Sequence, residues 1–270
     1  MKDAWNPAQY GKFADERSRP FYDLAAMVRG PVQRVIDLGC GPGGLTAELP
    51  ALVGAEEVIG LDNSPAMLEA AARHTGPGVS FAAGDLATWE DPGAWDLVFS
   101  NAALQWTGDH PAVLARWADA LRPGGQLAVQ MPANADHPAP SLATELAGEE
   151  PFRSAMGGIP PADTVGANVL PPEAYAILLN RLGFAEQKVR LEVYLHQLES
   201  TAAVVEWLRG TTLTRFAKRL SAELFESYIE TLRRRLEERL GDQRPYPFTF
   251  KRILLWAADR RPGRKTAFLQ

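Results

Sequence analysis

The first residues equipped for chemistry lie in "VIDLGCGPGG", residues 35 to 44, where Gly39, Gly41 and Gly44 form a G-x-G-x-x-G run behind a short apolar stretch. That spacing lets the backbone turn sharply and bring its amides close to a ligand. In a dinucleotide site the ligand is a pyrophosphate seated at a helix N-terminus. Asp37 argues against such an anion, because it stands two residues before the first glycine and would face the pyrophosphate at short range in a partly desolvated site. A cationic ligand reverses the sign. S-adenosylmethionine carries a sulfonium and, on its methionine portion, an ammonium that a carboxylate can hold.

Two further acids extend the pattern. Asp62 closes "EEVIGLD", where a carboxylate takes ribose hydroxyls in either cofactor class. Asp85 follows "VSFAAG", where it can accept from an adenine amino group while the next backbone amide, that of Leu86, donates to the ring. Each acid alone also fits a helix N-cap or a cap on loop amides. Three of them at successive strand exits, with Gly39, Gly41 and Gly43 admitting close backbone approach, form a far more specific set.

The elements that must position these groups alternate. "QRVIDLG", "EEVIGLD", "VSFAAGD", "WDLVFSNAAL" and "GQLAVQMP" read as strands, and "LTAELPALV", "SPAMLEAAARH" and "PAVLARWADALRPGG" as helices between them. Such alternation over about 130 residues predicts an α/β fold with a doubly wound parallel sheet, which binds ligands outside the carboxyl ends of its strands. Residues 132 to 172, dense in Pro, Gly and Ala, are expected to hold at most one short helix and to form a lid or cap. Beyond them "PPEAYAILLNRLGF" reads as a helix and "EQKVRLEVYLHQL" as a strand that can pair antiparallel with "YPFTFKRILLWAAD". Between these strands a helical pair is expected, whose longer member carries Phe216, Leu220, Leu224, Tyr228, Leu232, Leu236 and Leu240 as a core-facing stripe.

Bulk properties narrow the classes. With 270 residues, 46% hydrophobic and 23% charged, the chain reads as an ordinary soluble globular protein, one large domain or a core with an appendage. No secretory leader or membrane span is legible, so a cytoplasmic protein with no membrane partner is expected. The single Cys40 sits inside the glycine loop, where a small side chain is tolerated and no neighbouring base marks a nucleophile. His74, His110, His137 and His196 lack metal-ligand spacing, so no metal is expected. A net charge of -5 argues against nucleic acid, although "LRRRLEERL" concentrates positive charge late in the chain.

The chain resembles the class I S-adenosylmethionine-dependent methyltransferases: "DLGCGPGG", "GLDNSPAMLEAA", "AAGDLATW", "DLVFSNAALQW" and "LRPGGQLAVQMP" occur in that superfamily's order and spacing. Within it, "WNPAQYGKFADERSRPFYDL", "NAALQW", "VQMPAN", "YLHQLESTAAVVEWLRGTTL" and "FTFKRILLWAADR" are similar to the trans-aconitate methyltransferase family over almost the whole chain. The resemblance implies a Rossmann-like, mostly parallel seven-stranded sheet with a helical and loop cap. It divides the chain into an N-terminal lid at 1–30, a cofactor-binding core at 31–134, a cap at 135–172 and a part at 173–270 that completes the sheet with antiparallel edge strands. It assigns the cofactor to Asp37, Gly39, Cys40, Gly41, Gly43, Asp62, Asn63, Met67, Asp85, Leu86 and Asn101.

The implied reaction is methyl transfer to one carboxylate of trans-aconitate, giving a monomethyl ester. A carboxylate is ionised at neutral pH, so no general base and no catalytic side chain is expected. An acceptor with several carboxylates needs cations, preferably arginines. Arg17, Arg215 and Arg252 are the candidates, with Tyr10, Gln105, Trp106 and His196 shaping the pocket and Trp5, Tyr10 and Phe13 closing it. Where the family has a "TGLRPW"-like stretch this chain reads "TTLTRF", which moves the arginine to 215 and leaves Thr214 in its place. The expected partner is a small carboxylic acid and the expected state a monomer. The alternatives are another acceptor, such as malonyl-acyl carrier protein docked on the basic C-terminal helices, or a protein that binds the cofactor or nucleic acid without turnover.

Overall fold

Seven strands make one sheet in the order β3-β2-β1-β4-β5-β7-β6. The computed structural model describes residues 14–261, the side chains of residues 14–17 and 164–165 excepted. A helix, α1 (Ala14–Ala25), precedes β1 (Arg34–Leu38), a 3-10 turn at Thr46–Glu48 and the short α2 (Leu49–Val53). Then come β2 (Glu57–Asp62), α3 (Pro65–Ala71), β3 (Val79–Ala83), β4 (Trp95–Asn101), α4 (His110–Asp119) and β5 (Leu121–Pro132). β1 to β5 pair in parallel, and β7 joins β5 antiparallel.

β1 and β4 are nearly continuous apolar runs because helices cover both faces of the sheet. Strand order reverses between β1 and β4, which opens the crevice where doubly wound sheets take ligands.

Three local expectations are corrected. The helix predicted through "ALRPGG" stops at Asp119, and "LRPGG" belongs to β5. Pro123 cannot donate to a helix, and Gly125 lies so close to the carbonyl of Trp95 that a Cβ would come within 3.0 Å of its oxygen. The 132 to 172 stretch holds not one but three helices, α5 (Pro138–Ala147), α6 (Phe152–Ala155) and α7 (Thr164–Asn168). Pro138 opens α5 at its first position, where proline costs nothing, and His137 Nδ1 accepts from Ala139 N at 3.2 Å.

After α8 (Pro172–Arg181) and β6 (Phe184–Leu198) come α9 (Ala203–Arg209), α10 (Thr214–Ala217), α11 (Ala222–Leu240) and β7 (Tyr246–Arg260). The predicted stripe is therefore split: Ser221 caps α11 through Leu224 N at 3.3 Å, and Phe216 belongs to α10. Phe216, Tyr228, Ile229, Leu232 and Leu236 nevertheless bury together with α5, α9 and the β7 residues Phe248 and Phe250, so the stripe is core. No helix among the described residues is long and apolar enough to cross a membrane.

Candidate active site

The glycine loop leaves β1 through a left-handed turn that only glycine adopts freely. Gly39 has φ +84°, and a Cβ there would lie 2.2 Å from that of Ala103 after β4; Gly43, at φ +77°, would place one 2.7 Å from the Phe81 ring. Asp62 fastens this loop to the end of β2, its Oδ2 accepting from Gly41 N and its Oδ1 from Ser64 N, both at 2.9 Å. Asn63 is exposed beside it, and Met67 is buried in the first turn of α3, where its amide donates to Ser64 Oγ at 3.2 Å.

Asp37 is only 3% exposed. Burial pushes its carboxyl up to about 7, against the Thr46 hydroxyl that donates to Oδ2 at 2.6 Å, and the nearby Asp62 charge pushes the same way as burial. Among the described residues no cation pairs with this carboxylate. The Cys40 thiol is driven far above its ordinary range by burial and then by Asp37 and Asp62, which removes it as a nucleophile. Asp85 is exposed at the end of β3 with Oδ1 accepting from Ala87 N at 2.9 Å, and the Leu86 carbonyl accepts from Trp117 Nε1 at 3.0 Å. Asn101 ends β4 with a buried Oδ1 that has no hydrogen-bond partner among the described residues. A buried carboxylate that no described cation pairs with, a cradle that a Cβ would fill and an orphaned acceptor together fit the methionine end of S-adenosylmethionine.

A cavity of about 470 Å³ opens beside these exits, lined among others by Gln105, Trp106, Pro132, Trp207, Phe250 and Arg252. Gln105 donates from Nε2 to the Ala102 carbonyl at 2.6 Å and leaves Oε1 without a partner among the described residues, while Trp106 is exposed. Arg252 is 5% exposed, its guanidinium 4.7 Å from the Phe250 ring centre and 5.9 Å from that of Tyr194. Lys251, a cavity residue that the motif reasoning passed over, pairs with Asp136.

Two expected substrate residues lie outside this cavity lining. His196 packs its ring on Trp207 with centroids 4.8 Å apart, and burial, Arg252 and Arg19 push it down to about 4, so it supports the cavity wall as a neutral ring. Arg215 pairs with Asp163, in the loop before α7, at 3.0 Å and donates to Thr144 Oγ1 at 2.9 Å. Positions 214 and 215 both lie on α10, and at 215 the guanidinium is directed to Asp163 and Thr144. Tyr10, Trp5 and Phe13 lie outside the described residues, and of Arg17 only its place in the first turn of α1 is described.

Gln130, also passed over, is fully buried on β5, and neither Nε2 nor Oε1 has a hydrogen-bond partner among the described residues. Its signal was a polar residue inside the apolar run "LAVQMP". No group of histidines, cysteines and acids suited to a metal occurs among the described residues.

A family model for a methyltransferase domain matches residues 35–125. The trans-aconitate 2-methyltransferase of Deinococcus radiodurans is 41% identical over 256 residues, spanning 94% of this chain and 97% of that protein. That of Streptomyces avermitilis is 38% identical over 262 residues, spanning 93% and 95%. Among solved structures, the YcgJ protein of Bacillus subtilis gives a TM-score of 0.60 at 17% identity, over 90% of this chain and 99% of that one. Haemonchus contortus phosphoethanolamine N-methyltransferase 2, in complex with S-adenosylmethionine, gives 0.51 at 19% identity over 87% of this chain and 50% of that one. These last two likenesses are of fold, and the mostly parallel seven-stranded sheet is the class I methyltransferase architecture. With relatives of that identity along nearly its whole length, the chain belongs to the trans-aconitate 2-methyltransferase family of S-adenosylmethionine-dependent methyltransferases.

Proposed function

We propose that this enzyme methylates one carboxylate of trans-aconitate, or of a closely related small polycarboxylate, to a monomethyl ester. The observation that carries the reading is Arg252, a guanidinium buried in the wall of a cavity beside the methyl-donor residues. Its fork matches a carboxylate, and in a largely apolar cavity that pairing is strong.

When bound, S-adenosylmethionine supplies an electrophilic methyl on a sulfonium; sulfur keeps the bonding pair when oxygen takes the methyl, and no proton needs to move. Asp37, Asp62, Asn63, Met67, Asp85, Leu86 and Asn101 with the Gly39 to Gly43 loop hold the cofactor in this reading. The acid arrives ionised, so the protein needs no base. Its task is orientation, which supplies up to about 7–11 kcal/mol where reacting atoms are held in line. Arg252 fixes one end of the acid, Gln105 and Trp106 bound the reacting end, and the 135–172 cap, tied down by Arg215 and Asp163, excludes water. A dry site favours the step because opposite charges on acid and sulfonium cancel as the bond forms.

The basic helix offers little to a carrier protein or nucleic acid: Arg233 pairs with Glu206, Arg234 with Glu238 and Arg235 with Glu149. In this reading the enzyme is cytoplasmic, for which the single cysteine is the support, and works as a monomer. The test is transfer of a labelled methyl group to a panel of acids, with base-labile label on trans-aconitate expected and label on carrier protein or RNA alone contradicting it.

A further inference from the structure

The upper ends of four neighbouring strands carry a polar row on the sheet face covered by α1. Asp37 pairs in register with Phe99, against which Phe21 of α1 packs, and Asn101 lies two residues beyond Phe99 on the same face. Asn101 pairs with Gln130, and Pro132, two beyond Gln130, pairs with Arg252 of β7. The row therefore runs Asp37, Asn101, Gln130, Arg252. Its ends are a carboxylate and a guanidinium, and its middle is two neutral carboxamides.

Those carboxamides hold three buried atoms without partners among the described residues: Asn101 Oδ1 and both Nε2 and Oε1 of Gln130. An unpaired buried polar group costs about 1–3 kcal/mol, and leucine at 130 would avoid that cost. A cost of that kind is kept where the group has work to do. Gln130 is not itself a lining residue but lies directly behind the wall: its carbonyl accepts from Ala102 N at 2.9 Å, and Ala102, Pro132 and Arg252 all line that space.

We propose that Gln130 positions the carboxylate that receives the methyl group, donating from Nε2 to its unreactive oxygen, while Arg252 holds a second carboxylate of the same acid. The inference rests on the carboxyl methylation proposed above. As the reactive oxygen forms its bond to carbon, the carbon–sulfur bond breaks with its electrons staying on sulfur, and the carboxylate loses its charge. A guanidinium on that carboxylate would stabilise the charge most before reaction and so raise the barrier. A neutral amide orients the group with less of that penalty.

The test is Gln130→Leu, with Gln130→Met as the unbranched alternative should leucine not pack. The expected result is a melting temperature no lower than wild type and an affinity for S-adenosylhomocysteine within about twofold. With that ligand bound, trans-aconitate affinity should fall about tenfold or more, and kcat/KM for the acid about 30-fold or more, within the range for hydrogen bonds to charged groups. Acid affinity and turnover within threefold of wild type in both variants would overturn the assignment, leaving Gln130 a partner of ordered water only. A wild type that methylates no carboxylic acid would instead overturn the functional reading beneath it.

Discussion

Thr46 donates its hydroxyl to Asp37 at 2.6 Å, and among the described residues no cation pairs with this buried carboxylate. The bond opposes burial without overcoming it, and Asp37 remains at about 7. Below that pH the cofactor-free protein carries a neutral carboxyl, which cannot pair with an ammonium. Affinity for S-adenosylhomocysteine should thus fall about tenfold from pH 8 to pH 6, each unit below the pKa being a factor of ten. Titration calorimetry reads this directly, and Thr46→Val should move the midpoint to higher pH. The same shift has a sign for stability. The folded carboxyl titrates above its unfolded value of 3.8, so wild type loses stability as pH rises from about 4 to 7. Asp37→Asn should therefore be more stable than wild type at pH 8, by up to about 4 kcal/mol, and little different at pH 4. Its cofactor affinity should collapse.

Arg252 should separate acid binding from cofactor binding. Arg252→Gln keeps a donor but removes the charge, and losing a desolvated charged partner costs about 2–5 kcal/mol. Steady-state kinetics should show kcat/KM for the acid falling 30-fold or more while calorimetry gives an unchanged affinity for S-adenosylhomocysteine. Equal losses in both would remove Arg252 from the acceptor site.

Arg215 should behave as a strut. Because Arg215 stands behind the cavity lining and pairs there with Asp163, which does line it, Arg215→Gln and Asp163→Asn should each cost about 1–3 kcal/mol of stability and raise the acid's KM to the same extent. The double variant should be no worse than either single one, as partners in one interaction are non-additive. A loss confined to Arg215→Gln would return that residue to substrate binding.

Much of the parallel half of the sheet, and the glycine loop after β1, was legible because short apolar runs, glycines and strand-end acids are local signals. Asp37, Gly39 and Asp62 could be located from neighbouring letters alone. The 132 to 172 stretch was harder to read, since prolines such as Pro138 look like helix breaks but stand at a helix start. The fates of Arg215 and His196 were illegible: one depends on Asp163 and the other on Trp207, and only the folded chain brings those residues together. Gln130 was visible as a polar letter in an apolar strand, but its lack of partners is a property of packing.

The central claim is ester formation on a small polycarboxylate. Mass spectrometry of the product, with kcat/KM compared among trans-aconitate, cis-aconitate, tricarballylate and malonyl carrier protein, tests it most directly. A single added methyl on trans-aconitate, released by mild base, with the highest kcat/KM of the set is the expected result. Methylation of carrier protein in preference to every free acid would contradict it.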